Sequence, residues 1–423
     1  MNMYDIQKGY ELAKAYYKEL GIDTDEVIRK VNDKAISMHC WQGDDVIGFE
    51  KNAGSLSGGI QTTGNYPGRA RNAEELRADI EEVLKYIPGK TRLNLHANYL
   101  EADHAVPRNE ILPEHFANWI DWAVEKGIGL DFNDTYFSHP LSEHGTLSAA
   151  DESIRKFWIE HGIACRRIGG VFAEKTGGPC VINHWTPDGD KEFPIDTLSP
   201  RLRMKDSLDQ IFEATKDVKG VVDGIESKLF GIGMESYTVG SHEFCTSYVM
   251  SKHCPHIIMT LDAGHYHPTE VVSNKLGAIF AFSDNVLLHV SRPVRWDSDH
   301  VVAYDDETKT IMEELVRMNR LDATYVATDF FDASVNRLVA WATGLRNVRK
   351  AMMAAMLQPI DALRKVEQEG DVSARLAMVQ EYKAGGMLTL VWNYYCASQN
   401  KGEGLVWLDA IKDYEKKVLS ARS

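Results

Sequence analysis

Short apolar runs alternate along this chain with amphipathic stretches, and their two periodicities separate strand from helix. The apolar runs predict eight strands, over residues 36–41, 93–100, 128–133, 180–185, 224–229, 257–262, 286–291 and 324–329. Between them the pattern is helical. Residues 72–87 place Leu76, Ile80, Val83, Leu84 and Ile87 on one face, with carboxylates opposite, and stop at Pro88 and Gly89. Pro113 opens a second helix carrying Phe116, Ile120 and Ala123 on one stripe. Ser148 and Asp151 read as a capping box for a third, and Ser199 with Pro200 as the N-cap and first residue of a fourth. Further helices are expected over 241–252, 268–281, 306–318 and 335–357.

Strand followed by helix, eight times over, predicts a parallel sheet closed into a (β/α)₈ TIM barrel. The competing architecture is an open doubly wound sheet, which no GxGxxG fingerprint supports. After Pro359 strands cease, so residues 1–357 read as a catalytic barrel with an N-terminal helix and residues 358–423 as a helical extension. The breaks in the extension fall at Gly370, at Gly385 and Gly386, and at Gly402 to Gly404. Its apolar residues Leu388, Val391, Trp392, Tyr395 and Trp407 need covering, and a neighbouring subunit is the expected cover; packing back on the barrel is the alternative. Residues 43–71 hold seven glycines with little periodicity, which suits a mobile active-site loop.

Composition narrows the function. A length of 423 residues accommodates one barrel and an extension, and 44% hydrophobic with 26% charged residues is ordinary for a large core. Mean hydropathy is −0.32, and no apolar run is long enough to span a bilayer. Residues 1–20 are too polar for a signal peptide. Six scattered cysteines without a CxxC argue against a disulfide framework or a zinc knuckle, so a cytoplasmic address is expected. The net charge of −15 disfavours a general affinity for nucleic acid and suits an enzyme of small molecules.

In a barrel of this kind the chemistry sits at the C-terminal ends of the strands. Strand five ends with Glu226 and Lys228, strand six with Asp262 followed by His265 and His267, and strand eight with Asp329 and Asp332. Strand seven carries His289, with Arg292, Asp297, Asp299 and His300 behind it. His39 and Trp41, His96, and His184 and Trp185 stand at the ends of strands one, two and four. Any one of these could be a turn former, a cap or a hydrogen-bonded core histidine. Together, so many carboxylates and imidazoles at one mouth call for divalent cations, because burying unpaired carboxylates is costly. Carboxylates with imidazoles and no thiolate favour Mn²⁺, Mg²⁺, Co²⁺ or Zn²⁺, and at least seven candidate ligands imply two ions. No GxSxG elbow, Walker loop or HExxH offers another chemistry.

With these residues placed, the chain resembles the L-rhamnose isomerase family. The likeness is carried by residues 37–45 around His39, Cys40 and Trp41, 93–97 around His96, and 226–233 from Glu226 through Lys228. It continues in 261–265 with Asp262 and His265, in 289–300 from His289 to His300, and in 329–334 with Asp329, Phe331 and Asp332. The resemblance implies a tetrameric, xylose-isomerase-like barrel with two Mn²⁺-type ions. Glu226, Asp262, His289 and Asp329 match the ligands of the structural ion, and His265, Asp297 and Asp299 those of the catalytic ion. Lys228, His96 and Trp185 match residues around the sugar. Asn98 departs from the apolar methyl pocket expected near a deoxy sugar.

The expected reaction converts L-rhamnose to L-rhamnulose by a metal-assisted 1,2-hydride shift. Metal-bound water, oriented by Asp297 or Asp329, would move the hydroxyl proton. Lys228 would hold the developing alkoxide, His96 would act as an acid or base near neutral pH, and Trp41, Trp185 and Phe331 would wall the sugar. A multi-metal phosphoesterase, an isomerase or epimerase of another aldose, and a non-catalytic sugar-binding module are the rival readings.

Overall fold

A computed structural model describes residues 3–51, 64–229, 236–267, 269–294 and 296–422, without the side chains of Tyr4 and of 293–299. Eight parallel strands close into a barrel in sequence order: β1 Ile36–His39, β2 Thr91–His96, β3 Leu130–Asn133, β4 Cys180–His184, β5 Val221–Glu226, β6 Ile257–Asp262, β7 Val286–Val290 and β8 Thr324–Thr328. β1 pairs with both β2 and β8, which removes every free edge. The predicted strands are all present. β5 begins three residues earlier than its apolar run suggests, at Val221, and stops at Glu226, so Lys228 lies in the following loop.

Each strand is followed by a helix on the outside: α3 Ala73–Leu84, α4 Ala117–Lys126, α5 Glu152–Thr176, α6 Ser199–Ala214, α7 His242–Lys252, α8 Ser273–Phe280, α9 Asp306–Arg317 and α10 Arg337–Met356. Two helices, α1 Met3–Glu19 and α2 Thr24–Asp33, precede the barrel. Some starts differ from the sequence reading. Asp151 alone caps α5, accepting from the amides of Ser153 and Ile154, whereas the Ser148 hydroxyl donates to Asp188 at 2.6 Å. Ser199 lies inside α6, and α8 begins only at Ser273. Pro113 opens a 3₁₀ turn that leads into α4.

Alternation divides the strand residues between two apolar groups. Ile182, Ile225, Met259, Leu288 and Val326 join the main core beneath the helices. Their neighbours Val181, Val222, Ile258, Leu287 and Ala327 form a separate cluster in the lumen. Gly224 is required there: a Cβ would meet Thr260 Oγ1 at 2.4 Å and Leu287 Cδ2 at 2.9 Å.

The segment after the barrel forms α11 Ile360–Gln368, α12 Val372–Ala384, α13 Leu388–Ser398 and α14 Val406–Lys417, broken at the predicted glycines. Val391, Trp392, Tyr395 and Trp407 are buried within this same chain, and Leu388 is half-buried. Tyr10 of α1 stacks on Tyr394 of α13 with ring centroids 3.9 Å apart, and the Tyr17 hydroxyl accepts from the Met387 amide. This apolar face packs on the chain's own α1 and barrel. α12 differs, having no buried residue.

Both ends of the 43–71 connection are clamped. Gln42 exchanges two 2.8 Å hydrogen bonds with the Asp332 backbone, Asp45 pairs with Arg337 at 2.7 Å, and Arg337 also donates to the Tyr66 carbonyl. Residues 52–63, including Ile60, lie outside the described residues.

Candidate metal centre

Four neighbouring strands deliver the centre. Glu226 and Asp262 close β5 and β6, His289 is the penultimate residue of β7, and Asp329 follows β8 directly. Sheet register sets Asp262 opposite His289. One ligand atom from each of the four lies within 4.8 Å of all the others. His289 Nδ1 stands 3.4 Å from Glu226 Oε1, 3.6 Å from Asp262 Oδ2 and 3.3 Å from Asp329 Oδ2. These are approaches of opposite charges without hydrogen-bond alignment. Among the described residues, Glu226 Oε1, Asp262 Oδ2 and both His289 ring nitrogens have no hydrogen-bond partner.

The electrostatics follow from that crowding. Burial alone would raise Glu226, but the His265 and His289 imidazoles hold it well below the usual carboxylate range. Burial prevails at Asp262, which is raised. Burial opposes charge on His289, yet Glu226, Asp262 and Asp329 raise it well above the ordinary value. Three carboxylates and one imidazole, converging in a largely buried site with atoms left unpaired, fit a hard or borderline divalent ion. The quartet can hold a divalent metal.

Neighbouring side chains aim the ligands. Asn183 of β4 donates its amide to Glu226 Oε2 and accepts from Thr260 Oγ1 at 2.9 Å. Trp41 Nε1 donates to Asp329 Oδ1 at 3.0 Å while its ring packs 4.1 Å from that of His96. His265 Nδ1 lies 3.2 Å from both Glu226 Oε1 and the Ser227 carbonyl, and burial notwithstanding, Asp262 and Glu226 raise it to about 10. A cavity of about 50 Å³ opens on the quartet, lined by Trp41, His96, Trp185, Lys228, His265 and Phe331. Lys228 Nζ sits 4.7 Å from the Trp185 ring centroid.

A family model described as L-rhamnose isomerase (RhaA) matches residues 4–422. The chain belongs to the L-rhamnose isomerase family. It is 53% identical over 420 residues to the L-rhamnose isomerase of Mannheimia succiniciproducens, covering 99% of this chain and 100% of that one. It is 52% identical over 419 residues to the Salmonella typhi L-rhamnose isomerase, with 99% of each covered. Among solved structures, a D-tagatose 3-epimerase-like protein aligns with a TM-score of 0.50 at 12% identity, covering 67% of this chain and 95% of that one, a likeness of fold alone. The phosphoesterase and non-catalytic readings receive no support from these relatives.

In this family member the predicted site residues fall into three groups. Glu226, Asp262, His289 and Asp329 converge, and His265, Lys228, His96, Trp41, Trp185 and Phe331 surround them. Asp297 and Asp299 lie on the strand Trp296–His300 of a two-stranded ribbon, and their side chains lie outside the described residues. Other residues expected at the mouth do different work. His184 is turned away, between Asp134 at 2.5 Å and Asp223 at 2.9 Å. His39 bonds Thr328 Oγ1, and Asp332 shapes a turn through Ser334. Asn98 anchors the loop by donating to the Ile47 carbonyl. His96 does not titrate near neutrality, since burial pushes it down to about 3 and leaves a neutral ring. The roles of Asn183 and of the Trp41 indole escaped the sequence reading; only Asn183's place one residue before the strand end hinted at it.

No helix among the described residues is long and apolar enough to cross a membrane. The six cysteines are all free, five of them buried.

Proposed function

We propose that this chain interconverts L-rhamnose and L-rhamnulose in the cytoplasm, as a homotetramer carrying two Mn²⁺-type ions per subunit. The observation that carries the reading is the 53% identity to an L-rhamnose isomerase over the full length of both chains. Glu226, Asp262, His289 and Asp329 would hold one ion, and His265, Asp297 and Asp299 the other. Such ions supply Lewis acidity to the sugar's carbonyl and neighbouring hydroxyl, worth several kcal/mol of charge stabilisation.

The chain's own groups do the rest. Lys228 donates to O1 as negative charge develops there, held in place against the Trp185 ring. His96, neutral, offers one donor and one acceptor to the sugar's oxygens and can assist ring opening in that form. Trp41, Trp185 and Phe331 keep water from the C1–C2 bond while hydrogen passes from C2 to C1 as hydride. Asp297 or Asp329 orients the water that relays the hydroxyl proton. Support for assembly comes from α12, which has no buried residue, and from the exposed run Phe193, Ile195, Leu198 and Leu202.

The test is ketose formation from L-rhamnose by chelator-stripped protein, before and after Mn²⁺ is added. Activity confined to the metal-restored sample is expected. No turnover with any divalent ion would reject the assignment. Substrate deuterated at C2 should keep its label at C1; wash-out would instead favour an enediol route. Light scattering at a monomer's mass would remove the tetramer.

A further inference from the structure

The barrel's N-terminal end, opposite the quartet, holds the larger cavity, about 470 Å³ against about 50 Å³. Lumens of this fold are ordinarily filled by layers of bulky branched side chains. Here the residues midway up the barrel are small or polar, Ser37, Asn94, Asn183, Gly224, Thr260 and Ala327, and the cavity reaches as far as Asn94 and Asn183.

Its polar groups are not all spoken for. Asn94 is 3% exposed and lines the cavity, yet its Oδ1 has no hydrogen-bond partner among the described residues. Lys34 is half-buried at the entrance, and among the described residues no carboxylate comes within 4.0 Å of its ammonium. Burial pushes it down to about 8, against the pull of Asp322. The neighbouring charges are engaged: Arg92 with Asp131 at 2.8 Å, Arg29 with Glu26 at 2.7 Å, Asp33 with Lys90 at 3.0 Å, and Lys30 with Glu26 at 3.6 Å. Asp322 is exposed at the rim, and Tyr325, Val181 and Leu287 add an apolar wall.

A half-buried cation with no carboxylate in contact is compensated by an anion. A buried amide with an unpaired acceptor suits a hydroxyl, and an apolar wall with an aromatic ring suits the C–H face of a sugar. We infer that this basal cavity binds a small polyhydroxylated anion, a sugar phosphate or a sugar acid, with its charged group on Lys34 and its hydroxyls on Asn94 and its neighbours. The site is separate from the isomerase chemistry. It lies one side chain from it, because Asn183 lines the cavity and also bonds Glu226.

The test is calorimetric titration of the full-length protein with D-fructose 1-phosphate and with D-gluconate, using D-fructose and inorganic phosphate as controls. At least one of the two anions should bind, and which one does separates phosphate from carboxylate. Lys34→Met should weaken that binding about tenfold or more, the value of a lost charge-assisted hydrogen bond. Lys34→Arg should largely retain it, and Asp322→Asn should tighten it a few-fold. All three changes lie at the far end of the barrel from the quartet, so binding at the metal centre would not respond to them. Binding by neither anion, or binding equal in wild type and Lys34→Met, would overturn the inference.

Discussion

Of two buried charged clusters among the described residues of this barrel, one has the marks of a site and the other does not. Asp134, His184, Asp223 and Arg166 sit between strands and helices, Arg166 donating to both Asp223 oxygens at 2.9 and 3.0 Å. His184 bridges the two carboxylates and is raised to about 9: burial opposes its charge, but Asp134 and Asp223 outweigh it. Two negative and two positive groups cancel, and among the described residues only Asp134 Oδ1 of this cluster is left without a partner. Among the described residues, Glu226, Asp262, Asp329 and His289 leave four ligand atoms unpartnered, even with the His265 imidazole 3.2 Å from Glu226. Burial and titratable residues are common to both clusters; the unpaired ligand atoms distinguish the candidate metal centre.

The largest test of that contrast is Asp262→Asn. It keeps the shape of the side chain but removes a charge the ion needs, and isomerase turnover should fall about 10³-fold or more. Global stability of the metal-free protein should barely fall, or should rise, because a buried carboxylate with an unpartnered oxygen has gone. Arg166→Met is the mirror image. It strands Asp223 with half its partners and should cost about 3–5 kcal/mol by denaturant unfolding, while the metal affinity of the folded fraction stays the same. Equal effects of the two substitutions on metal binding would dissolve the distinction.

Acid and base separate the clusters further. His184 has a folded-state value of about 9 against an ordinary 6.5, so its stabilisation is complete below 6.5 and is lost as pH rises through about 9. Unfolding free energy should drop by a few kcal/mol across that window, and the drop should vanish in His184→Gln. At the quartet, protons compete with metal for His289 and the carboxylates, so affinity there should weaken as pH falls. Calorimetry of Mn²⁺ binding at several pH values reads this directly.

Much of this was legible in the sequence because strand ends are marked by chemistry as well as by periodicity. Asp262 and Asp329 close the apolar runs 257–262 and 324–329, and Glu226 and His289 sit within the runs 224–229 and 286–291. What escaped was facing. Asn183 and His184 are adjacent at the end of β4, and a strand sends adjacent side chains to opposite sides. With the boundary uncertain by one residue, the imidazole was the natural choice, yet the amide is the one that points at Glu226. The cover of the C-terminal helices was hidden for another reason: it depends on α1, more than 350 residues away in the chain. Asn183→Asp would place a second carboxylate against Glu226, and metal affinity should fall about 10- to 100-fold with little loss of fold.

The smallest expected effect discriminates best between packing and positioning at the pocket wall. Trp41 is buried, packs at a tilt against His96 and donates its indole N–H to Asp329. Trp41→Phe keeps the aromatic wall and removes one donor. If the indole only fills space, KM for the sugar should shift and metal affinity should not. If it positions Asp329, the freed oxygen can rotate away from the ion, and metal affinity should weaken several-fold while KM at saturating metal stays close to wild type. Turnover at limiting Mn²⁺ would then fall and would recover as the ion is added, a rescue that a packing defect cannot produce.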